Sequence, residues 1–143
     1  MTLFVVGCVQ RQATTSRDIV IDPAVGSAEQ LPTITVEALQ ERINSAGKAP
    51  FILDVRTPQE YDGPLGHIEG SRLIPVQELA RRLSELSGVK DQHIFVICHS
   101  GGRSARATRI LLDAGFRASS VAGGMQVWNE LVGKQHETEG NPD

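Results

Sequence analysis

Residues 93–105 read HIFVICHSGGRSA, in which a nearly continuous apolar run from His93 to Cys98 leads into two glycines and an arginine. Apolar runs of this length suit strands that are buried on both faces, as in a parallel sheet. Apolar residues then recur at helical spacing over residues 107–114, which predicts an amphipathic helix. The stretch therefore predicts a buried strand, a short glycine loop and a helix in direct succession.

Strand-like and helix-like runs also alternate on both sides of this stretch. Residues 51–55 form another nearly continuous apolar run, and residues 71–74 and 118–121 are shorter strand candidates. Thr57-Pro58-Gln59-Glu60 predicts a capping box with proline at the first helical position. Two further helices are predicted by apolar stripes, which are Val36, Leu39 and Ile43 for one and Leu79, Leu83 and Leu86 for the other. This alternation predicts an α/β layered fold with right-handed crossovers.

Composition limits the class of protein. The chain has 143 residues, 40% of them hydrophobic and 22% charged, with a net charge of −3. That length predicts one domain, and the slight acidic excess argues against a nucleic-acid partner. No apolar stretch approaches the roughly 20 residues that cross a bilayer. The two cysteines, Cys8 and Cys98, supply neither a disulfide framework nor a four-ligand zinc site.

The two ends of the chain differ from its middle. Residues 1–30 begin with a short apolar stretch and then turn polar, and the last residues, GKQHETEGNPD, carry no apolar anchor. We therefore expect an N-terminal segment over residues 1–30, a packed domain over residues 31–132 and a mobile polar tail over residues 133–143.

The glycine loop combines several features that favour a negatively charged sulfur. Ligands in open parallel sheets bind at the carboxyl ends of strands, which is where Cys98 lies. Gly101 and Gly102 allow backbone N–H groups to turn inward as an anion-binding nest, and the helix N-terminus adds partial positive charge. Arg103 adds a full charge. A single cysteine is often an inert small hydrophobe, but this combination predicts that Cys98 is a reactive thiolate.

At this point the sequence resembles the rhodanese family. The resemblance runs over most of residues 33–132, with the landmarks in the family's order, and Glu69 stands where the family often has proline. The matching residues are Asp54-Val55-Arg56, Glu60-Tyr61, Gly66-His67-Ile68-Glu69-Gly70-Ser71, Cys98-His99-Ser100-Gly101-Gly102-Arg103-Ser104, and Gly123-Gly124-Met125 with Trp128.

The resemblance implies a doubly wound α/β domain around a central parallel sheet of about five strands. It also implies sulfurtransferase chemistry, with Cys98 as the nucleophile and persulfide carrier and Arg103 closing the loop. The residues whose backbone would surround the sulfur are His99, Ser100, Gly101, Gly102, Arg103 and Ser104. The expected partners are a small anionic sulfur donor such as thiosulfate and a thiol or cyanide acceptor. No metal and no organic cofactor is expected.

Loop length separates two reactions on this fold. Six residues run from Cys98 to Arg103 inclusive, a C-x4-R spacing. The resemblance implies that this length suits a sulfur-sized substrate, whereas related phosphatases and arsenate reductases use C-x5-R to hold a tetrahedral oxyanion. The first hypothesis is therefore that the protein is an active sulfurtransferase. A non-enzymatic persulfide carrier or regulatory binding module is the alternative, and a phosphatase is a distant third.

Supporting roles are expected for a few polar residues. Asp54 and Arg56 are predicted to form hydrogen bonds and ion pairs that hold loops near the strand ends, rather than an acid/base pair. His67 is predicted to make a structural hydrogen bond. His99 lies inside the loop and either faces the substrate mouth or is solvated. Arg106 is expected on a solvated helix face, from which it could steer anionic donors.

The N-terminus raises a separate question. Val5-Val6-Gly7-Cys8 resembles a bacterial lipobox, in which the cysteine is lipidated. Only seven residues precede Cys8, however, and no basic region stands before the apolar stretch. Two alternatives remain: an envelope protein anchored through Cys8, if the start of the sequence is truncated, or a cytoplasmic domain. In either case we expect a monomer.

Overall fold

The computed structural model describes residues 30–133, which contain five strands and five α-helices. The strands are β1 (Thr33–Ile34), β2 (Phe51–Asp54), β3 (Arg72–Leu73), β4 (His93–Ile97) and β5 (Arg117–Val121). The α-helices are α1 (Val36–Asn44), α2 (Pro58–Tyr61), α3 (Val76–Leu79), α4 (Gly102–Asp113) and α5 (Gly124–Trp128). A 3-10 helix spans Leu83–Val89, and a π-helical turn spans Asn129–Gly133.

The strands form one sheet in the order β1-β5-β4-β2-β3, and every neighbouring pair is parallel. Strand β4 lies in the centre, where Val96 is paired with Leu53 of β2 on one side and with Ser120 of β5 on the other. The predicted doubly wound α/β fold with a parallel sheet of about five strands is confirmed.

Alternate side chains of the central strands enter two separate apolar layers. In β4, Ile94 and Val96 pack with residues of α3 and α4, whereas Phe95 and Ile97 pack with residues of α1 and α5. Cys98 continues the alternation and packs in the same apolar layer as Ile94 and Val96, against α4. Because the central strands are buried on both faces, they appear in the sequence as nearly continuous apolar runs.

Strand β1 was not among the strands identified from the sequence. It has two residues, Thr33 and Ile34, which is too short for any period to show. Backbone hydrogen bonds create it: Ser120 donates to the carbonyl oxygen of Pro32 at 2.8 Å, and Ala122 donates to that of Ile34 at 2.9 Å.

The helix predicted from Leu79, Leu83 and Leu86 is wrong as a single element. The α-helix ends at Leu79, and a 3-10 helix begins at Leu83 after a break. A 3-10 helix has three residues per turn, so side chains three apart share one face. Leu83, Leu86 and Val89 follow that spacing, with Leu86 fully buried and the other two packed against the same layer.

None of the helices within residues 30–133 is long and apolar enough to cross a membrane. Cys8, where a lipid anchor was one of the two alternatives, lies outside the described residues, as does the tail from residue 134 onward.

Candidate active site

Cys98 directly follows the central strand β4 at its carboxyl end and is 1% exposed. Strand β4 is hydrogen-bonded to a neighbouring strand on each side, so it holds Cys98 at the centre of the sheet. The thiol therefore lies at the base of the loop that joins β4 to α4.

The loop supplies polar groups to the sulfur. The backbone N–H of Gly101 donates to Cys98 Sγ at 3.1 Å, and Ser104 Oγ lies 3.5 Å from the same sulfur. Gly101 has a φ of +121°, a conformation open to glycine because it lacks a Cβ. Ser104 is fully buried and also bonds to the carbonyl oxygen of Gly101 and to Ser120 Oγ, each at 2.8 Å.

These contacts decide the charge state that the site favours. Burial raises the pKa of the Cys98 thiol, since it disfavours the charged form. The hydrogen bond between Cys98 and the Ser104 side chain lowers the pKa, as do hydrogen bonds from the backbone amides of Ser104, Gly101 and Ser100, and together they outweigh burial. The net pKa of Cys98 lies below the ordinary value of a cysteine, so the loop stabilises a thiolate.

Helix α5 supports the loop from the other side. Met125 N–H donates to the carbonyl oxygen of Cys98 at 2.8 Å, and Gln126 N–H donates to that of His99 at 3.0 Å. The approach is so close that a Cβ at Gly124 would lie 2.4 Å from the carbonyl oxygen of Cys98. The Gly123-Gly124-Met125 motif thus allows a helix N-terminus to dock directly on the backbone of the loop.

Arg103 is paired with Glu60, a contact that the sequence reasoning missed. Its two terminal nitrogens donate to the two carboxylate oxygens of Glu60, each at 2.6 Å, and both side chains are 32% exposed. The hydrogen bond from Arg103 is the largest cause that lowers the pKa of Glu60 to about 2. The same contact raises the pKa of Arg103. No local pattern signals this pair, because the pairing requires β2 and β4 to be neighbours in the sheet.

Asp54 and Arg56 form a fully buried ion pair, with 2.6 Å between Arg56 Nη2 and Asp54 Oδ2. Arg56 also donates from Nη1 to the carbonyl oxygen of Glu60 at 3.1 Å and from Nη2 to that of Gly66 at 2.7 Å. The hydrogen bonds of this pair therefore tie the end of β2 to α2 and to the following loop. The pair is connected to Arg103 indirectly, because Arg56 binds the backbone of Glu60 and the Glu60 side chain binds Arg103.

The two predicted histidines lie in different segments of the chain. His67 Nδ1 lies 3.1 Å from the carbonyl oxygen of Tyr61, and its ring stacks on the Tyr61 ring with centroids 3.7 Å apart. These contacts place His67 against α2 rather than in the cysteine loop. His99 is half-buried within the loop, and Arg106 is exposed on α4.

The described residues hold no cluster of three or more His, Cys, Asp or Glu side chains that could bind a metal ion. A cavity of about 450 Å³ opens at the other end of the sheet, beside Arg42, Phe51 and His93, and it includes no residue of the cysteine loop.

Comparison with known proteins agrees with this geometry. Residues 35–131 match the family described as rhodanese-like domain. The chain is 37% identical over 103 residues to the Bacillus subtilis (strain 168) protein named "Putative sulfur carrier protein YrkF", covering 71% of this chain and 53% of that protein. It is 31% identical over 74 residues to thiosulfate sulfurtransferase PspE of Escherichia coli (strain K12), covering 52% of this chain and 69% of that protein.

Solved structures show the same fold. A rhodanese-like domain protein from Staphylococcus aureus is 31% identical, with a TM-score of 0.62, and the match covers 68% of this chain and 91% of that one. The match to the B. subtilis protein, in contrast, spans about half of that protein's length.

Proposed function

This chain belongs to the rhodanese-like domain family, and from that membership we propose that it is a sulfurtransferase that carries sulfur as a persulfide on Cys98. One observation supports the proposal most directly. Gly101 N–H lies 3.1 Å from Cys98 Sγ within a six-residue loop that begins at the end of the central strand. That arrangement is suited to an anionic sulfur and leaves the nucleophile in its reactive form.

In the first step, the Cys98 thiolate attacks the outer sulfur of a donor. With thiosulfate, a new S–S bond forms to Cys98 while the S–S bond of thiosulfate breaks. Sulfite leaves with the bonding electron pair, and Cys98 becomes a persulfide with a negative charge on its outer sulfur. The two negative charges of thiosulfate and the one of the thiolate are conserved in the sulfite dianion and the persulfide.

In the second step, an acceptor thiolate or cyanide attacks the outer sulfur of the persulfide. The bond between the two sulfurs breaks, thiocyanate forms when cyanide is the acceptor, and the Cys98 thiolate is regenerated. No proton needs to move in either step. The loop amides, with the N-terminus of α4 behind them, stabilise negative charge on sulfur throughout, and no metal or organic cofactor takes part.

The spacing of the loop distinguishes this activity from phosphate hydrolysis. A tetrahedral oxyanion needs several donors around four oxygens, and the C-x4-R loop is one residue shorter than the C-x5-R loop of the related phosphatases. In addition, both terminal nitrogens of Arg103 already bind Glu60.

The test is formation of thiocyanate from thiosulfate and cyanide by the purified protein, beside its Cys98→Ser variant and a phosphatase assay as a control. We expect cysteine-dependent turnover and no phosphatase activity. Intact-mass measurement after thiosulfate treatment should show one added sulfur on the wild type and none on the variant. Absence of both turnover and added sulfur would reject the enzyme and leave a regulatory binding module.

A further inference from the structure

The pairing of Arg103 limits what its guanidinium can bind. Arginine recognises carboxylates and phosphate-like oxyanions in the same way, with two parallel N–H donors. In this structure both terminal nitrogens of Arg103 donate to Glu60 at 2.6 Å. A tetrahedral oxyanion in the loop would have to compete with the Glu60 carboxylate for these donors.

Glu60 is itself held in place, so the pair does not open freely. Its Oε2 accepts hydrogen bonds from the backbone N–H and the hydroxyl of Thr57, at 3.1 and 3.0 Å, which complete the capping box of α2. Its carbonyl oxygen accepts a hydrogen bond from the buried Arg56. Glu60 is thus held to the segment that joins β2 to α2 by contacts of both its side chain and its backbone.

The charges around the sulfur then favour a donor with little charge. The positive charge of Arg103 is balanced by Glu60, and that of Arg56 is balanced by Asp54. With Cys98 as a thiolate, the site carries one net negative charge from these five groups. Thiosulfate enters with two negative charges, whereas a persulfide R–S–S⁻ enters with one and offers the same outer sulfur to attack.

Building on the proposed sulfur transfer, we propose that Glu60 determines specificity: by occupying Arg103 it weakens the binding of doubly charged oxyanions such as thiosulfate and makes a persulfide the preferred sulfur donor. In the reaction, the Cys98 thiolate attacks the outer sulfur of R–S–S⁻. The new S–S bond forms to Cys98, the bond between R–S and the outer sulfur breaks, and R–S⁻ leaves with the electron pair. The total charge is conserved, and no oxidant or reductant is required.

Glu60→Gln is the informative variant, because glutamine removes the charge and still serves in a capping box. Glu60→Asp keeps the charge and should retain the discrimination of the wild type. Glu85→Gln is the matched control, since Glu85 also pairs with arginines, Arg72 and Arg82, but lies on the 3-10 helix. Thermal unfolding of each variant checks that it is folded.

The first readout does not depend on turnover. Cys98 is alkylated with iodoacetamide in the presence of increasing inorganic phosphate, which protects the thiol when it occupies the loop. We expect half-protection of Glu60→Gln at a phosphate concentration about tenfold lower than for the wild type and Glu85→Gln, as one unit charge is removed beside the anion. Equal protection of all four proteins would overturn the inference.

The second readout compares kcat/KM for the persulfide of 2-mercaptoethanol, which carries a single negative charge, with that for thiosulfate. We expect the wild type to favour the persulfide. In Glu60→Gln the ratio should fall about tenfold, because kcat/KM for thiosulfate rises while that for the persulfide changes little. An unchanged ratio in an active Glu60→Gln variant would contradict the role of Glu60. If the wild type transferred no sulfur from either donor, the proposed function would fail, while the alkylation experiment would still test Glu60.

Discussion

The backbone N–H of Met125 donates a hydrogen bond of 2.8 Å to the carbonyl oxygen of Cys98, so α5 rests directly on the residue that carries the thiol. Gly124 makes this contact possible, because it has a φ of +56° and any Cβ there would meet the backbone of Cys98 and His99 within 2.7 Å. The position of the nucleophile thus depends on a residue that has no side chain.

Gly124→Ala should therefore destabilise the protein by about 2–4 kcal/mol, through left-handed strain and overpacking against a backbone that cannot move aside. Urea unfolding measures this change. Gly88→Ala is the control, since a Cβ at position 88 would meet nothing within 4 Å. A similar loss in the two variants would show that the contact with Cys98 is not the cause.

The Ser104 hydroxyl should lower the pKa of the Cys98 thiol. Because hydrogen bonds hold the pKa of Cys98 below its ordinary value, the thiolate persists at lower pH than in an unperturbed cysteine. Removing the hydroxyl in Ser104→Ala should raise this pKa, because one of the contacts that lowers it is lost. The pH dependence of iodoacetamide alkylation gives the midpoint directly.

Ser100→Ala serves as the comparison for that experiment. It makes the same change in the same loop, but the Ser100 side chain is exposed and its backbone amide remains. Its midpoint should match that of the wild type. Coincident midpoints for all three proteins would mean that the Ser104 hydroxyl does not stabilise the thiolate.

The two ion pairs of Arg56 and Arg72 should differ in energy. Arg56→Leu leaves Asp54 buried without its partner and should cost about 3–5 kcal/mol of unfolding free energy. Arg72→Leu breaks a pair whose side chains are 44% and 36% exposed, and it should cost less than about 1 kcal/mol. Chemical denaturation of both variants checks the contrast, and equal losses would contradict the assigned burial.

Glu60 should make stability depend on pH. Its pKa is lowered from 4.5 to about 2 in the folded protein, so the unfolded chain binds the proton first as the pH falls. The stabilisation is complete above about pH 4.5 and is lost toward pH 2. Because the pair is 32% exposed, we expect solvent screening to reduce its contribution to about 1 kcal/mol at neutral pH.

Unfolding of the wild type and Glu60→Gln between pH 7 and about pH 3 tests this dependence. The two free energies should differ at neutral pH and converge as the pH falls. Glu69→Gln is the control, since Glu69 is exposed and forms no ion pair with any residue in the described segment 30–133. A difference that stayed constant with pH would argue against ionisation of Glu60 as its source.

Much of the site was visible in the sequence because it is local. The end of β4, the glycine loop and the start of α4 are consecutive residues, so spacing alone placed Cys98 and Arg103 at one end of a buried strand. The buried pair of Asp54 and Arg56 is two residues apart and could be suggested for the same reason.

The remaining features depend on tertiary contacts. Glu60 and Arg103 are 43 residues apart in the chain, and their pairing requires β2 and β4 to be neighbours in the sheet. The two-residue strand β1 exists through its hydrogen bonds to β5 and has no pattern of its own. The break after Leu79 was missed because the spacing of Leu79, Leu83 and Leu86 also fits an α-helix, whereas Leu86 enters the core from a 3-10 helix.

The central position of β4 should protect the start of the cysteine loop from local unfolding. Native proteins open in cooperative parts, and edge elements open at far lower free energy than central strands. The two-residue edge strands β1 and β3 can fray while β4 stays bonded to β2 and β5. Amide hydrogen exchange at Val96 and Ile97 should therefore be among the slowest in the domain. Under the proposed function, a sulfur carried on Cys98 would be anchored to the part of the domain that opens last.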